Sequence, residues 1–468
     1  MKRLVIYFHY DPAGRIDTAC RIAVQAMQKY AKVLFVTNGT LTPADRVWAR
    51  QAGAGRIERD NTGFDVGAYK EALLTLGREK LAEYEEVILM NFTLAGPVCP
   101  LGPMFAAMNA RAELDFWGLT RHYAMQSRRF GGAVPEHLQS HFLALRPRLF
   151  NSDAFWNYWQ QMALPASYEQ SVILHETRFT PYFAAKGYIW DTYVNTDDLC
   201  GVFVNPIMAC PAELLQKRDC PFFKRRSLFT PYADELRRTD GRAAGELYCY
   251  VKAHTEFPID FLLASLLQTQ PMAALAKNLH WNYMMAEPGV EAPDLAALGL
   301  RLLRYTLPAA DPVTDWYNKK ASADADALLG RAAQLFEEKP LLGVLSPALP
   351  LWQGCAAARR TQWQRDAGTL AEKAAVPVGN DPLPAPNCGW LLVREASFLD
   401  GIPSCTTQRD AWQLALTAQA AGYYAATFET AAQAAARADV LDVYEADAAR
   451  PAAVAKQLGR LIKHKLQK

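Results

Sequence analysis

The sequence lacks the long apolar run of a membrane span and the paired cysteines of a disulfide or zinc framework. It contains no stretch of about eighteen or more apolar residues, so no transmembrane helix is predicted. Its 9 cysteines are scattered and form no CxxC pair, which favours reduced thiols over disulfides or a structural zinc site. The glycine patterns GxGxxG and GxxxxGKS/T are also missing, which argues against a dinucleotide fingerprint and a P-loop.

Neither sign of charge is in excess. The 468 residues include 50 Lys and Arg against 48 Asp and Glu, a formal net charge of +2. This balance is not that of a dedicated nucleic-acid binder, and we expect no nucleic-acid partner. The apolar run in the opening segment MKRLVIYFHYD spans only about five residues, which is too short for a signal peptide and predicts a first strand. We therefore expect a cytoplasmic protein.

Strands and helices alternate over the first part of the chain. The segments RLVIYFHY, KVLFVTNG, EEVILMNFT and LDFWGLTRHY predict strands, and helical patterns separate the first three. These intervals indicate βαβ units, an α/β class and a mostly parallel sheet flanked by helices. The next segment, PEHLQSHFLALRPRLFNSDAFWNYWQQM, predicts mostly helix, and residues 205–232 predict strand and loop.

The length of the chain favours two or three domains. Around residues 285–312 the sequence is rich in Ala, Pro and Leu, with EPGVEAPD and LPAADP as turn-forming segments. We therefore predict a first domain at 1–285, a linker at 286–312 and a second region at 313–468, which is Ala-rich and mainly helical.

Polar residues follow each predicted strand at the edge where open α/β sheets bind ligands. His9 and Tyr10 follow the first strand, Asn38 follows the second, and Asn91 and Thr93 follow the third. A further polar segment, RDNTGFD, precedes the helix between the second and third predicted strands and contributes Asn61 and Asp65. Its glycines allow sharp turns or a close approach of the backbone to a ligand.

The order of these segments resembles the nucleotide-binding half of GT-A glycosyltransferases, and more specifically the rhamnan synthesis F family of rhamnosyltransferases. The matching segments are RDNTGFDVGAYKEAL, ILMNFTLAGP, FWGLT, HLQSHFLALRPRLF, HETRFTPYFAAKGY and PFFKRRSL, dense over residues 1–285. The resemblance implies a GT-A-like fold and transfer of a sugar, rhamnose in particular, with inversion, from a nucleoside-diphosphate donor to a bacterial cell-surface polysaccharide. It also implies that His9, Tyr10, Asn38, Asn61, Asp65, Asn91 and Thr93 bind the donor.

The sequence departs from metal-dependent GT-A enzymes at the end of the third predicted strand. Those enzymes usually carry Asp-x-Asp there, whereas this chain has Asn91-Phe92-Thr93. Neutral oxygens are poor ligands for a hard divalent cation. Two alternatives stay open: Mg²⁺ or Mn²⁺ held with Asp65, or a site without a tightly held metal that depends on basic residues.

Such basic residues occur in KRDCPFFKRRS, where Lys224 and Arg225 are expected to bind the diphosphate of the donor. A solvated basic loop is the alternative for this segment.

A catalytic base is expected in LHETRFTPYFAAKGY, which resembles the segment that carries the base of inverting GT-A enzymes. This assigns Glu176 as the base, with His175 beside it to tune it or to act itself. The alternative is an acid favoured by the helix dipole. Trp117, Thr120 and Gln139 are the acceptor-binding candidates. His137 and His141, four positions apart on a predicted helix, have no obvious third zinc ligand.

Three classes of function remain after these observations. The first is the glycosyltransferase, whose acceptor is a glycan or a lipid-linked glycan. The second is a non-catalytic glycan-binding or assembly protein on a degenerate transferase fold, and a nucleotidyltransferase ranks third. The closing segment GRLIKHKLQK is basic and partly amphipathic, so a lipid-linked acceptor would bring peripheral contact with the inner face of the membrane. A solvated terminal helix is the alternative.

Overall fold

The structure is a computed structural model that describes residues 1–52, 55–307, 312–348, 355–384, 388–448 and 450–466. The chain divides into two compact units, Met1–Leu262 and Leu263–Lys468. The predicted linker at 286–312 includes residues 308–311, which lie outside the described residues. The three-part domain division drawn from the sequence stays a prediction.

The first unit alternates strands and helices. Its strands are β1 (Arg3–Tyr10), β2 (Lys32–Asn38), β3 (Gly55–Arg59), β4 (Glu86–Asn91), β5 (Leu94–Ala95), β6 (Phe116–Gly118), β7 (Arg121–His122), β8 (Met125–Ser127), β9 (Gly132–Val134), β10 (His137–Leu138), β11 (Phe142–Leu145), β12 (Trp190–Thr192) and β13 (Phe223–Lys224). Its helices are α1 (Thr18–Gln28), α2 (Pro43–Gln51), α3 (Phe64–Leu81), α4 (Gly102–Asn109), α5 (Pro147–Phe150), α6 (Asp153–Gln161), α7 (Tyr168–Ser171), α8 (Thr177–Ala184), α9 (Pro206–Ala209), α10 (Pro211–Lys217), α11 (Tyr232–Leu236) and α12 (Ala243–His254). Short 3₁₀ turns lie at Arg128–Phe130, Asp197–Leu199 and Arg225–Leu228, and a π-helical turn lies at Val172–Glu176.

A 7-stranded sheet forms the centre of the first unit, in the order β12-β6-β11-β4-β1-β2-β3. Strands β1, β2, β3 and β4 run parallel to one another, and β6 runs parallel to β12. Strand β11 is antiparallel to both of its neighbours, β4 and β6. The expected α/β class and the mostly parallel sheet flanked by helices are confirmed.

Burial explains why the strands of this sheet were recognisable. Strand β4 is buried along its whole length, and β1 is buried up to its last residue. Parallel strands covered by helices on both faces have nearly continuous apolar sequences, as these do. The edge strand β3 is only partly buried and polar, and the sequence analysis did not predict it.

The segment 137–145 was predicted as helix, and this prediction is wrong. Its residues form β10 and β11, and β11 pairs with β4 and β6 inside the sheet. A short, fully buried apolar run such as FLAL has no periodicity that distinguishes a strand from a helix. The two histidines therefore do not share a helix face.

The prediction of strand and loop over residues 205–232 is also wrong in its main part. Helices α9 and α10 occupy its beginning, because a proline stands in the first turn of each, where its fixed φ suits a helix. Only β13 is a strand here, and it pairs with β5.

The second unit is mainly helical, as expected, and also contains a sheet that the sequence analysis did not predict. Helix α13 (Ile259–Thr269) runs across the division between the units, and α14 (Met272–Asn278), α15 (Pro312–Ala327), α16 (Leu329–Glu338), α17 (Cys355–Ala374), α18 (Gln408–Ala420), α19 (Ala431–Ala448) and α20 (Pro451–Leu466) follow. The strands are β14 (Asn282–Met285), β15 (Leu300–Arg304), β16 (Leu342–Pro347), β17 (Trp390–Arg394) and β18 (Tyr424–Thr430), in the order β14-β18-β16-β17-β15. Across the described ranges, no helix has the length and apolarity that a membrane crossing requires.

Candidate active site

The polar residues predicted after the strands lie at one edge of the seven-stranded sheet. Tyr10 is paired in register with Asn38, and Phe8 is paired with Asn91, so the ends of β1, β2 and β4 lie side by side. This is the carboxyl edge of the parallel strands, where open α/β sheets bind ligands.

The loop between β3 and α3 is fastened to the end of β2. The Nδ2 of Asn38 donates to Asn61 Oδ1 at 3.1 Å, and Arg59 Nη1 donates to Asn38 Oδ1 at 2.6 Å. Arg59 Nη1 also donates to the carbonyl of Thr62 at 2.9 Å. These bonds hold Asn61 at the edge of the sheet with its side chain exposed.

Backbone geometry explains the glycines of this loop. Gly63 has a φ of 70°, and Phe64, the first residue of α3, has a φ of 54°. Glycine adopts such left-handed angles without a steric penalty, whereas they are unusual for phenylalanine. A Cβ atom at Gly67 would lie 2.7 Å from the carbonyl oxygen of Thr62, so the loop packs against the helix where only glycine fits.

Asp65 lies in the first turn of α3 and is held by several donors. Its Oδ2 accepts from Asn91 Nδ2 at 2.9 Å and lies 3.2 Å from the hydroxyl of Ser140. Its Oδ1 accepts from the backbone N–H of Val66 at 3.0 Å and from Ser171 Oγ at 3.3 Å. The carboxylate of Asp65 therefore joins the end of β4 to the segment before β11 and to the last residue of α7.

The ammonium of Lys224 lies at the end of β4. Its Nζ donates to Thr93 Oγ1 at 3.0 Å. Thr93 in turn donates through its backbone N–H to Asn91 Oδ1 at 3.1 Å, and its hydroxyl donates to the same oxygen. The antiparallel pairing of β13 with β5 places Lys224 there, because Lys224 is opposite Leu94 in that pair.

Glu176 lies on the other side of Asp65. Its Oε2 accepts from the backbone N–H of Ser140 at 3.0 Å and from the Ser140 hydroxyl at 2.7 Å. Its Oε1 lies 3.8 Å from Nε2 of His137, whose Nδ1 donates to the carbonyl of Pro135. The side chain of Glu176 is 19% exposed, so it is within reach of a ligand.

The environments of the two carboxylates shift their pKa values in opposite directions. Burial and the nearby charge of Glu176 raise the pKa of Asp65. Burial alone would also raise the pKa of Glu176, but its interaction with His137, helped by Lys224 and Ser140, holds that pKa well below its usual range. Glu176 is therefore ionised at neutral pH.

The pKa of Lys224 is also displaced. Burial lowers it to about 8, although Glu176 and Asp65 favour the charged form. Because this value is above neutrality, Lys224 carries a positive charge between the two carboxylates and the end of β4 at pH 7.

Arg225, predicted with Lys224 as a diphosphate ligand, is engaged elsewhere. Its Nη1 pairs with Asp17 Oδ2. Its Nη2 donates to Asp17 Oδ1 at 3.0 Å and also lies 3.2 Å from Cys20 Sγ. Its side chain is buried in this ion pair. This position favours an anchoring role for Arg225 over direct contact with a donor.

Two predicted histidines lie within the core rather than at a surface. His9 is buried between Thr37 Oγ1 at 3.0 Å and the carbonyl of Arg15 at 3.1 Å, and burial lowers its pKa to about 4. His175 is also buried, and its Nδ1 is bonded to Tyr158 OH at 2.8 Å. His9 orders the end of β1, and His175 is bonded to Tyr158 and packed against Trp159.

The three acceptor-binding candidates are buried as well. Trp117 is fully buried, and its Nε1 donates to the buried carboxylate of Glu86 at 2.9 Å. Thr120 Oγ1 donates to Gln139 Oε1 at 2.9 Å, and both side chains are buried. These positions favour packing and order beneath the site over contact with an acceptor.

The sequence analysis did not identify His137 and Ser171 as members of the site. It named His137 only as half of a histidine pair on a predicted helix, and Ser171 carried no local signal. The structure also places the hydroxyl of Ser140 between Asp65 and Glu176. These contacts join residues that are distant in the sequence, so periodicity and spacing do not reveal them.

The donor set at the end of β4 does not fit a hard divalent cation. Asn91 uses its carbonyl oxygen for Thr93 and its amide for Asp65, and Thr93 accepts from an ammonium group. Mg²⁺ and Mn²⁺ prefer carboxylate and water oxygens. In the part of the chain that the structure describes, no group of three or more His, Cys, Asp or Glu side chains is arranged to hold a metal ion.

Solved structures with some likeness to this chain include nucleotidyltransferases and a glycosyltransferase. A cytidylyltransferase from Leptospira borgpetersenii is 12% identical, with 42% of this chain and 76% of that chain covered and a TM-score of 0.25. The 4-diphosphocytidyl-2C-methyl-D-erythritolsynthase from Anaerococcus prevotii is 10% identical, with coverages of 41% and 87% and a TM-score of 0.27. Mouse xyloside xylosyltransferase 1 is 9% identical, with coverages of 41% and 85% and a TM-score of 0.26.

The sequence itself matches a defined family. The family model described as rhamnan synthesis protein F matches residues 33–297, which is more than half of the chain. A search of curated proteins found no match to this chain. The protein therefore belongs to the rhamnan synthesis protein F family, which confirms the resemblance drawn from its motifs. Membership of this family supports the class of nucleotide-sugar glycosyltransferases.

Proposed function

We propose that this protein is a nucleotide-sugar glycosyltransferase that moves rhamnose from a nucleoside-diphosphate donor to a growing bacterial cell-surface polysaccharide. One observation carries the proposal. Glu176 is ionised and partly exposed, the Ser140 hydroxyl links it to Asp65, and the ammonium of Lys224 is near both carboxylates. A proton acceptor and a cation for phosphate thus lie together at the ligand-binding edge of an α/β sheet. The family's description names rhamnan synthesis, which supports rhamnose as the sugar.

The donor lies along the carboxyl edge in this proposal. Its nucleoside faces the ends of β1 and β2, where Tyr10, Asn38 and Asn61 meet. Its diphosphate faces the end of β4, where Asn91, Thr93 and Lys224 are linked. His9 supports the first region through its bond with Thr37, and Asp65 supports the second by accepting from Asn91.

The proposed reaction is a direct displacement. The oxygen of an acceptor hydroxyl attacks the anomeric carbon of the donor sugar, and its proton passes to Glu176 Oε1. The bond between that carbon and the diphosphate oxygen breaks, and the nucleoside diphosphate leaves. Lys224 neutralises the charge that develops on the leaving group. A single displacement at this carbon gives inversion.

The acceptor in this proposal is a glycan or a lipid-linked glycan, and the protein contacts the inner face of the membrane peripherally. Helix α20 supports the contact, because Val454, Leu458 and Ile462 recur every four residues and are exposed. The sequence from Pro451 onwards contains no Asp or Glu and several Lys, which suits an anionic lipid surface.

Substituting glutamine for Glu176 tests the proposed base. We expect Glu176→Gln to bind a nucleoside diphosphate within about threefold of the unmodified chain, while turnover falls by about 10²–10⁴-fold, since the amide accepts no proton. Calorimetric titration with dTDP, UDP and GDP measures binding, and release of the nucleoside diphosphate from the matching sugar donors measures turnover.

Glu169→Gln is the matched control. Glu169 lies on α7, close in sequence to Glu176, and is paired with Arg129 at the surface. We expect its substitution to leave turnover unchanged. Unchanged turnover in Glu176→Gln would refute the role of the base. Failure of all three nucleotides to bind a folded protein would instead favour the non-catalytic glycan-binding alternative.

A further inference from the structure

We infer that the ammonium of Lys224 replaces the divalent cation at this site, so that the protein binds a nucleoside diphosphate without metal. The inference rests on the proposed function, because its ligand is the diphosphate of the donor. It identifies Lys224 as the group that neutralises the diphosphate, in place of a divalent metal ion.

The end of β4 provides the first argument. An Asp-x-Asp motif there would present two carboxylates, whereas the side-chain oxygens of Asn91 and Thr93 are neutral and already bonded within the protein. The amide of Asn91 presents its N–H groups to Asp65 rather than an oxygen to a cation. These residues form a hydrogen-bonded support for a cation that the chain itself supplies.

The placement of Lys224 provides the second argument. The residues directly after the Asn91-Phe92-Thr93 segment form β5, and β13 pairs with it so that Lys224 lies opposite Leu94. The next backbone N–H, that of Arg225, donates to the carbonyl of Thr93 at 3.0 Å. The ammonium is therefore fixed by backbone bonds to the residues that stand in the place of the metal-binding motif.

The buried ion pair of Arg225 strengthens this placement. Arg225 is fastened to Asp17 at the N-terminus of α1, so the residue that follows Lys224 is anchored in the first unit. A preorganised charge gives more stabilisation than a mobile one, because little reorganisation is needed when the ligand binds.

The charges around Lys224 give the third argument. Asp65 and Glu176 attract its ammonium, and Arg226 is the nearby basic residue that opposes it. His141 is buried close by, and burial together with the charge of Lys224 lowers its pKa well below the usual range, so it stays neutral. A divalent ion in contact with Thr93 Oγ1 would lie beside the ammonium and be repelled by it. The arrangement favours one resident cation over two.

Calorimetric titration of the full chain with dTDP, UDP and GDP tests the inference. Each nucleotide is titrated in EDTA and again with MnCl₂, using the unmodified chain, Lys224→Met and Lys224→Arg. Lys217→Met is the matched control, since Lys217 belongs to the same basic segment and lies exposed at the end of α10. Far-ultraviolet circular dichroism confirms that each variant is folded.

We expect the unmodified chain to bind one nucleotide equally well, within about twofold, in EDTA and in Mn²⁺. Lys224→Met should weaken this binding by about 10–100-fold, the loss of a charge-assisted contact to phosphate, and Mn²⁺ should not restore it. Lys224→Arg should retain part of the affinity because it keeps the charge, and Lys217→Met should bind as the unmodified chain does.

If Lys224→Met does not fold, Thr93→Val replaces it. That change removes the hydroxyl that accepts from the ammonium of Lys224 but keeps the shape of the side chain at position 93. We expect the affinity for the nucleotide to fall several-fold.

Three results overturn the inference, and they show whether the proposed function fails with it. If EDTA abolishes binding and Mn²⁺ restores it, or if Lys224→Met binds normally, the resident cation is not Lys224, and the proposed function still stands. If a folded, unmodified chain binds none of the three nucleotides in either condition, the inference and the proposed function fail together.

Discussion

Replacing Asp17 with asparagine removes the charge that is paired with Arg225 inside the first unit. Asp17 is also the N-cap of α1, where its side chain accepts from the N–H of Cys20 at 2.8 Å, and the substitution should preserve this cap. Asparagine caps helices as well as aspartate does. Its amide nitrogen, however, is a donor and would face the guanidinium of Arg225 where Oδ2 now accepts. The variant therefore isolates the buried ion pair.

The magnitude follows from the pKa of Asp17. Burial opposes ionisation of this carboxyl, but the charge and hydrogen bonds of Arg225 lower its pKa from 3.8 to about 2. A depressed pKa contributes stability above the unfolded value, here about 2.5 kcal/mol at pH 7. The contribution is lost as the pH falls through the folded value, and about 1.3 kcal/mol should remain at pH 3. An unpaired, buried Arg225 adds to the cost, so we expect about 2.5–4 kcal/mol at pH 7.

Urea unfolding of the full chain, monitored by labelling of Cys220 with a dipyridyl disulfide, which acid activates so that it modifies thiols at pH 3 as well as at pH 7, measures this loss in the first unit. The thiol of Cys220 is fully buried and becomes reactive only when its surroundings open, and mass spectrometry distinguishes it from the other cysteines. The control is Asp234→Asn, because Asp234 pairs with Arg237 at the surface with side-chain exposures of 33% and 75%. That change should cost less than about 1 kcal/mol.

The pH dependence is the stricter part of the test. The difference between Asp17→Asn and the unmodified chain should shrink by about 1 kcal/mol between pH 7 and pH 3. A difference below about 1 kcal/mol at pH 7, as for a surface pair, would show that Arg225 is not held as the structure indicates. A larger difference that stays constant with pH would refute the electrostatic explanation.

Two further predictions concern the proposed site and the proposed membrane contact. Ser140→Ala removes the hydroxyl between Glu176 and Asp65. We expect kcat to fall by about 10–100-fold with little change in the melting temperature. A kcat within about twofold of that of the unmodified chain would contradict the role of this link. Leu458→Glu should reduce co-sedimentation of the full chain with vesicles rich in phosphatidylglycerol. Val47→Glu, a control at another exposed apolar residue, on α2, should not reduce it. Equal binding of both variants would argue against α20 as the contact.

The amino-acid sequence by itself determined the strands that form the middle of the sheet. Strands β1, β2 and β4 are nearly continuous apolar runs bounded by polar residues, because both of their faces are buried. The same boundaries predicted which side chains lie at the carboxyl edge. Asn38, Asn61, Asp65 and Asn91 do lie together there, because parallel strands end at a common edge.

Only the tertiary structure decided which of two neighbouring cations faces the site. Strand β13 ends at Lys224, whose side chain reaches Thr93, and the chain turns at Arg225, whose side chain pairs with Asp17. The two residues are adjacent in the sequence, and the sequence does not show which of them reaches the site, because the pairing of β13 with β5 joins segments more than a hundred residues apart.

The same reason applies to the proposed base. The sequence placed Glu176 by resemblance, but its contacts with Ser140 and His137, and through Ser140 with Asp65, exist only because the fold brings the segment from β10 to β11 beside α3 and the π-helical turn. Local patterns follow from the preferences of a segment and its own burial. A site built by long-range pairing depends on which segments meet, and that is a property of the folded chain.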